Sequence, residues 1–392
     1  MTSPDLKYPQ PDADSFLATI QSMTGLPNVA YESEYFAQFE RDHVLAETWV
    51  CVANLAQLAK DGWVHPVDLL ELPLLIIRDR DGSIRVFHNV CSHRGMKLVE
   101  TPRPTNGIIT CPYHGWCYKS RGELSATPHI KGEGSHNDDR FDRSLHGLKP
   151  VRSHIFAGMV FVNLSGTAPE FAEFISPIQN HWDEMDFDLY PHGGSHSFWE
   201  IELQCNWKFA QENHVDGYHL PFVHPGLHSY SPLGNHYPLV VEGVASGQGS
   251  HNQAHSGAIG DITLPMNNNM SRTWQNGRAE FLSVFPNIMI GVQADHFWTV
   301  HLIPVSASKT IERMDLHYFG DGATSQQYEH LRTNNRDRML EIFEEDRAMV
   351  EGMQRGRKSP AFTGGALSPE MDVPAHHFNK IVASAVIAAL DK

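Results

Sequence analysis

The 392-residue sequence predicts an α+β protein of two or three domains. Three observations carry that prediction. A β-rich stretch with a strong hairpin signal fills much of the first half. The second half interleaves alternating strands with a few helices. One long helix candidate lies near the C-terminal end. Hydrophobic residues make up 41% of the chain, which is ordinary for a globular protein with more than one core.

The elements follow in order. Residues 1–41 read as an N-terminal arm with one amphipathic helix, about Glu32 to Ala46. Leu72 to Arg78 and Ile84 to His88 are apolar runs on either side of Asp81-Gly82, a hairpin-turn pair. Gly107 to Thr110 is a short strand, and Gly158 to Leu164 is a closing one. Gly166-Thr167-Ala168-Pro169 marks a boundary. A β-domain is therefore expected over 42–165 and a second domain over 166–392. In the latter, Trp199 to Gln204, Ala279 to Ile290 and Phe297 to Pro304 alternate as half-buried strands do. Asn206 to His219 reads as a helix that Pro221 stops, and Ser325 to Gly356 as a long helix. There is no internal repeat.

The net charge of −16 excludes nucleic acid and anionic membrane as main partners. Of five cysteines, Cys91 and Cys111 fall in a metal motif, leaving Cys51, Cys117 and Cys205. An odd remainder implies no disulfide framework and fits a reducing compartment. The first residues lack a basic segment followed by an apolar one, and no run approaches a membrane span. A cytoplasmic location is expected. With 25 histidines, a lone His carries little weight.

Cys91-Ser92-His93-Arg94-Gly95 and Cys111-Pro112-Tyr113-His114-Gly115-Trp116 read C-x-H, seventeen residues, then C-x-x-H. Two thiolates and two imidazoles suit an iron–sulfur cluster in which His replaces Cys on one iron. A Cys2His2 zinc site wants the same donors. Spacing and flanks resemble the Rieske [2Fe–2S] motif, with Cys91, His93, Cys111 and His114 as its ligands.

A second metal site is expected downstream. Asp216 and His219 are three apart on the expected helix, and His224 follows the break at Pro221. Two His residues ask for a carboxylate to complete the facial triad of non-haem Fe(II) oxygenases. Asp346 falls inside an apolar stripe of Met339, Phe343, Val350 and Met353. Glu345 falls on the opposite face and Glu344 off the stripe. A carboxylate on a buried stripe needs a metal or a partner. The alternative is an Asp satisfied by an Arg or a helix N-terminus.

Asn206-Trp207-Lys208, the run Glu212-Asn213-x-x-Asp216-x-Tyr218-His219-x4-His224, and the late Glu345, Asp346, Glu351 and Gln354 resemble the oxygenase component of Rieske non-haem iron oxygenases. The resemblance covers about Asp42 to Gly356. It implies a β-sandwich-like Rieske domain inserted into a helix-grip catalytic domain with an antiparallel sheet. It also implies head-to-tail homotrimers, in which the cluster of one subunit feeds the iron of the next. Asp216 is then the bridge between His219 and a neighbouring His114, and Asn213 joins the catalytic set. The implied cofactors are one [2Fe–2S] cluster and one mononuclear Fe(II) per subunit, with O2. The chain shows no plant-type C-x4-C-x2-C run and no dinucleotide fingerprint. NAD(P)H-derived electrons are therefore expected from a separate flavin- or ferredoxin-type reductase.

For the small-molecule substrate, Phe285, Phe297 and Trp298 could form an aromatic cage around a quaternary ammonium group. Ordinary core packing is the alternative. The Glu345-Asp346 ending resembles the choline monooxygenase and betaine demethylase branch, which implies monooxygenation. The stretch from Asn213 to Asp216 is one residue shorter than in ring-hydroxylating dioxygenases, whose chemistry is the runner-up. A Rieske electron carrier and a zinc hydrolase built on His219, His224 and Asp346 are the other readings.

Overall fold

The computed structural model describes residues 11–58, 60–253 and 262–392. The chain divides into two compact units, one of Glu47–Ala168 and one of Met1–Ala46 with Pro169–Lys392.

The first unit holds β1 (Val50–Asn54), β2 (Trp63–Leu69), β3 (Leu72–Arg78), β4 (Ile84–His88), β5 (Arg103–Pro104), β6 (Ile108–Thr110), β7 (Cys117–Lys119), β8 (Leu124–Ala126), β9 (Pro150–Phe156) and β10 (Met159–Asn163). They form a sheet of order β1-β10-β9-β4-β3-β2-β5 and a small sheet of order β6-β7-β8. The Asp81-Gly82 turn joins β3 to β4, with Leu74 opposite His88 and Arg78 opposite Ile84. The unbroken apolar run of β3 has a physical cause, because both faces of the strand are covered. Leu74 and Ile76 pack with Val86, Val160 and Val162. Leu75 and Ile77 pack with Val64, Ile109 and Trp116, in the core that also takes Cys91 and Cys111.

The second unit holds β11 (Phe198–Leu203), β12 (His236–Val241), β13 (Ala245–Ser250), β14 (Ala279–Val284), β15 (Ile288–Val292), β16 (His296–Ser306) and β17 (Lys309–Tyr318). Their order is β11-β17-β16-β15-β14-β13-β12, with every neighbouring pair antiparallel. The helix Trp207–Val215 packs on β13, β14 and β16, and the long helix Glu329–Gly356 packs on that helix and on β11. No described helix is long and apolar enough to cross a membrane.

Three expected elements differ. The strand expected from Ala279 to Ile290 is two strands, because the chain turns at Phe285-Pro286-Asn287, where Pro286 has no N–H for a ladder. The helix expected from Glu32 to Ala46 is broken. Ser33 is extended (φ −97°, ψ 120°) and its Oγ accepts the Phe36 N–H at 3.1 Å, which restarts the helix. A wider π turn follows over Glu40–Val44. The helix expected to reach His219 ends at Val215, with Asp216 extended (φ −92°, ψ 118°) and its carboxylate accepting the Tyr218 N–H. Pro221 stops nothing. It sits in the first turn of the short helix Leu220–Val223, where a missing N–H costs little.

Candidate metal centres

The two cluster loops are built alike. Cys91 N–H donates to the Met96 carbonyl at 2.8 Å and Gly95 N–H to the Cys91 carbonyl at 3.0 Å. Cys111 N–H donates to the Trp116 carbonyl at 2.8 Å and Gly115 N–H to the Cys111 carbonyl at 3.1 Å. Gly95 (φ +75°) and Gly115 (φ +69°) take the left-handed conformation that closes each loop. Cys91 and Cys111 are buried, while His93 and His114 are exposed. The His rings lie 4.6 Å apart, and His93 stacks on Trp116 at 4.6 Å. Tyr118 Oη lies 3.1 Å from Cys91 Sγ and 3.1 Å from the Ser92 N–H. Burial raises the Cys91 thiol above its ordinary value, against a hydrogen bond from Tyr118 that lowers it. Two buried sulfurs beneath two exposed imidazoles fit a mixed Cys/His cluster.

In the second unit, His219, His224 and Asp346 present ligand atoms that all lie within 4.8 Å of one another. The two Nε2 atoms are 3.1 Å apart. Asp346 Oδ1 is 2.9 Å from His224 Nε2 and 3.6 Å from His219 Nε2, buried and without an aligned hydrogen-bond donor. Each imidazole is held from behind. Asp216 Oδ2 lies 3.2 Å from His219 Nδ1, and Glu345 Oε2 lies 2.7 Å from His224 Nδ1. Protons on the Nδ1 atoms leave both Nε2 lone pairs facing the Asp346 oxygen. Three such donors crowd one point only if a cation joins them, so the residues fit a mononuclear metal. Burial alone would lower the His224 pKa, but Asp346 and Glu345 together raise it. Glu345 was expected on the opposite helix face. Its side chain instead reaches round to His224. The Asp216–His219 pairing was expected on a helix face and is made by a turn.

The remaining family-like residues are scaffolding. Asn206 Oδ1 caps the site helix at Lys208 N–H (3.1 Å), and its Nδ2 donates to the Ala307 carbonyl (2.8 Å). Trp207 Nε1 and Lys208 Nζ both donate to Glu40, at 3.0 and 2.9 Å. Glu351 accepts the Gln204 N–H at 3.0 Å and Gln354 the Asn206 N–H at 2.8 Å. These bonds tie the helix bearing Asp346 to the start of the segment bearing His219 and His224.

A cavity includes His219, His224 and Asp346 in its lining, together with Phe281, Trp298 and Phe343. Trp298 stacks near Phe281 (5.9 Å, 21°) and meets Phe343 edge-on (5.9 Å, 90°). Its indole lies across Gly291, where a Cβ would have no room. Phe297 is not in this wall. Neighbours on a strand face opposite ways, and Phe297 stacks on His317 at 4.4 Å on the other side of the sheet. Phe285 lies in the turn after β14, outside the lining. Val350 and Met339 of the expected stripe are buried, but Met353 is 39% exposed. Asn213 and His214 also line the cavity. Burial lowers the His214 pKa to about 4, so its ring is neutral near pH 7.

Sequence reasoning missed His214 and Glu312, and it named Glu345 without giving it the contact to His224. Glu312 alone left a signal: it shares one face of β17 with Thr310, Met314 and Leu316, the one charged residue on that face.

Comparison with known proteins identifies the family. Residues 193–388 match the ring hydroxylating alpha subunit (catalytic domain), and residues 48–141 match the Rieske [2Fe-2S] domain. The carnitine monooxygenase oxygenase subunit of Acinetobacter pittii (strain PHEA-2) is 25% identical over 363 residues, 90% of each chain. The 2-aminobenzenesulfonate 2,3-dioxygenase subunit alpha of Alcaligenes sp is 32% identical over 204 residues, 51% of this chain and 49% of that one. A crystal structure of a quaternary ammonium Rieske monooxygenase with L-carnitine has a TM-score of 0.73 at 20% identity, covering 96% of this chain and 99% of that one. A catalytic domain following the cluster domain goes against a bare electron carrier and a zinc hydrolase. The chain belongs to the Rieske oxygenases, as an oxygenase α component built to carry a [2Fe–2S] cluster and a mononuclear iron.

Proposed function

We propose that this oxygenase hydroxylates a small quaternary ammonium compound, of the choline, betaine or carnitine kind, at a C–H bond beside the nitrogen. The observation that carries the reading is the aromatic wall of Phe281, Trp298 and Phe343 in the cavity that also holds His219, His224 and Asp346. Aromatic faces attract an onium group that has no N–H to donate. The relative from Acinetobacter is named for such a substrate. The reaction consumes the C–H bond, O2, two electrons and two protons, and yields a carbinol and water. A carbinol next to a quaternary nitrogen breaks down to an aldehyde and a tertiary amine.

Cys91 and Cys111 would hold one iron of the cluster and His93 and His114 the other. His219, His224 and Asp346 would hold Fe(II). The two groups, when bound, supply O2 activation with electrons delivered one at a time. The chain's own residues orient and exclude. Glu345 fixes the His224 ring and Asp216 the His219 ring. The neutral His214 and Asn213 line the space where substrate sits. Asp216, partly exposed beside Tyr218, is assigned as the bridge to His114 of the partner subunit in a homotrimer. Electrons come from a separate NAD(P)H-fed reductase, and the cytoplasm is the compartment.

The test is O2 consumption with a generic reductase and NADH against choline, glycine betaine, carnitine and a set of aromatic acids. Formaldehyde or another aldehyde formed from the ammonium compounds supports the proposal. Turnover confined to the aromatic acids rejects it in favour of ring dioxygenation. That second reading rests on the higher identity to the dioxygenase subunit over half the chain.

A further inference from the structure

Among the described residues, Glu312 and Arg347 are the charged groups of the cavity lining that the proposed chemistry does not use, and only Arg347 has partners of its own. Glu312 stands on β17, opposite Leu302 of β16, and lines the same space as the metal-ligand cluster. The residue is 6% exposed. Among the described residues no hydrogen bond or ion pair reaches its carboxylate. A carboxylate in that state is costly, because it has lost its water and gained nothing.

The charged neighbours do not relieve it. Arg347 faces it from the long helix and also lines the cavity. That guanidinium is already bound to both oxygens of Glu344, at 2.8 and 2.7 Å, and to the Glu202 carbonyl. Asp346 and Glu344 face Glu312 as like charges. Burial first, and the Asp346 charge second, push the Glu312 carboxyl up to about 8. The Asp346 oxygen is aimed at the metal position, so it is not free to meet a substrate. Glu312 is therefore a buried carboxyl without a partner among the described residues, largely protonated near pH 7 in the empty cavity and drawn into its charged form by an arriving cation.

We propose that Glu312 is the counter-charge for the cationic head of the substrate, acting in the same cavity as the aromatic side chains of Phe281, Trp298 and Phe343. The inference rests on the quaternary ammonium reading above and deepens it. Aromatic faces alone attract an onium group weakly and accept a neutral tert-butyl group nearly as well. A carboxylate in a low-dielectric pocket separates the two sharply. The cost of holding Glu312 without a partner is offset when the cation arrives, which makes the residue a specificity determinant and not a support for the fold.

The experiment is calorimetric binding to the holoenzyme, with two matched pairs of probes. Choline is compared with 3,3-dimethylbutan-1-ol, and glycine betaine with 3,3-dimethylbutanoate; within each pair only the nitrogen charge differs. The wild type should prefer the cation by about tenfold or more in at least one pair. Glu312→Gln should erase that preference by weakening the cation and leaving the neutral probe unchanged. Its melting temperature without ligand near pH 7 should be little changed, since the carboxyl it replaces is largely neutral in the empty cavity. Glu312→Met carries the same comparison should Gln fail to fold. A wild type that prefers the cation with a variant that keeps the preference overturns the role of Glu312 and leaves the quaternary ammonium reading standing. Equal weakening of both probes also overturns it, as a packing effect. A wild type with no cation preference in either pair rejects the reading itself, and Glu312 with it.

Discussion

Glu345 and Asp346 are neighbours in sequence with different work. Asp346 Oδ1 faces the two Nε2 atoms, while Glu345 stands behind His224 at 2.7 Å. Under the proposed assignment Asp346→Ala loses the mononuclear iron and keeps the cluster absorption. Glu345→Ala keeps the iron but binds it about 10–100-fold more weakly, because His224 loses its fixed orientation. Iron analysis after graded chelation separates the two, and equal iron loss in both variants would contradict the split. Asp216 shares its carboxylate between the Tyr218 N–H and His219 Nδ1. Asp216→Asn preserves shape and removes charge. Both metals and the oligomer should be retained and the cluster should still reduce, while NADH-driven turnover falls by about two orders of magnitude or more. Near-normal turnover rules out the bridge, and loss of iron would make Asp216 a ligand.

At the scale of elements, the sheet shapes the pocket through Gly291 on β15. Trp298 pairs with it across the strands, and the indole occupies the space a Cβ would need. Gly291→Ala should therefore displace the indole and raise KM several-fold, with less change in kcat, since the metal ligands sit on other elements. Glu280 on β14 anchors the end of the helix Phe171–His181. It accepts from His181 Nε2 (2.8 Å), Trp182 Nε1 (2.8 Å), Tyr237 Oη (2.9 Å) and Arg278 Nε (2.9 Å). Burial works to raise this carboxyl, but the hydrogen bonds outweigh it and hold the pKa at about 2. An unfolded Glu titrates near ~4.3. Between those values the unfolded chain binds the extra proton, so this contribution is full above ~4.3 and fades as pH falls toward 2. Thermal melts should show a steeper loss of stability from pH 5 to pH 3 in the wild type than in Glu280→Gln. Parallel curves would mean that the network contributes nothing to acid stability.

For the molecule as a whole, exposed aromatics border both centres. Tyr113, beside His114, is 57% exposed; Tyr218 and Phe222, within the His219–His224 segment, are 48% and 79% exposed. Large apolar side chains left in water around two electron-transfer sites are what a subunit interface would cover. Phe222→Asp should shift the species from trimer toward monomer in light scattering, with both metal sites loaded and coupled turnover lost. A trimer of unchanged stability would remove this support for the proposed assembly.

The sequence by itself determined the candidate donor residues, their spacing and the order of the two domains. Short loops with fixed residues, such as Cys91 to Gly95 and Cys111 to Gly115, set their own geometry through local hydrogen bonds, so they were legible. The hairpin at Asp81-Gly82 was legible for the same reason. Asp346 was separable from its neighbours because a carboxylate on a buried helix stripe is anomalous wherever it occurs. Tertiary structure alone decided the rest. Glu345 lies on a helix face that periodicity assigned to solvent, and a flexible side chain carried its carboxylate to a His more than a hundred residues away in sequence. Phe297 and Trp298 are adjacent and both buried; which one lines the cavity depends on which face of β16 it occupies. Glu312 became meaningful only when the fold buried it beside a cavity and gave its carboxyl no hydrogen-bond partner among the described residues. Local chemistry fixes what a residue can do, while burial and opposite faces, which are long-range properties, fix what it meets.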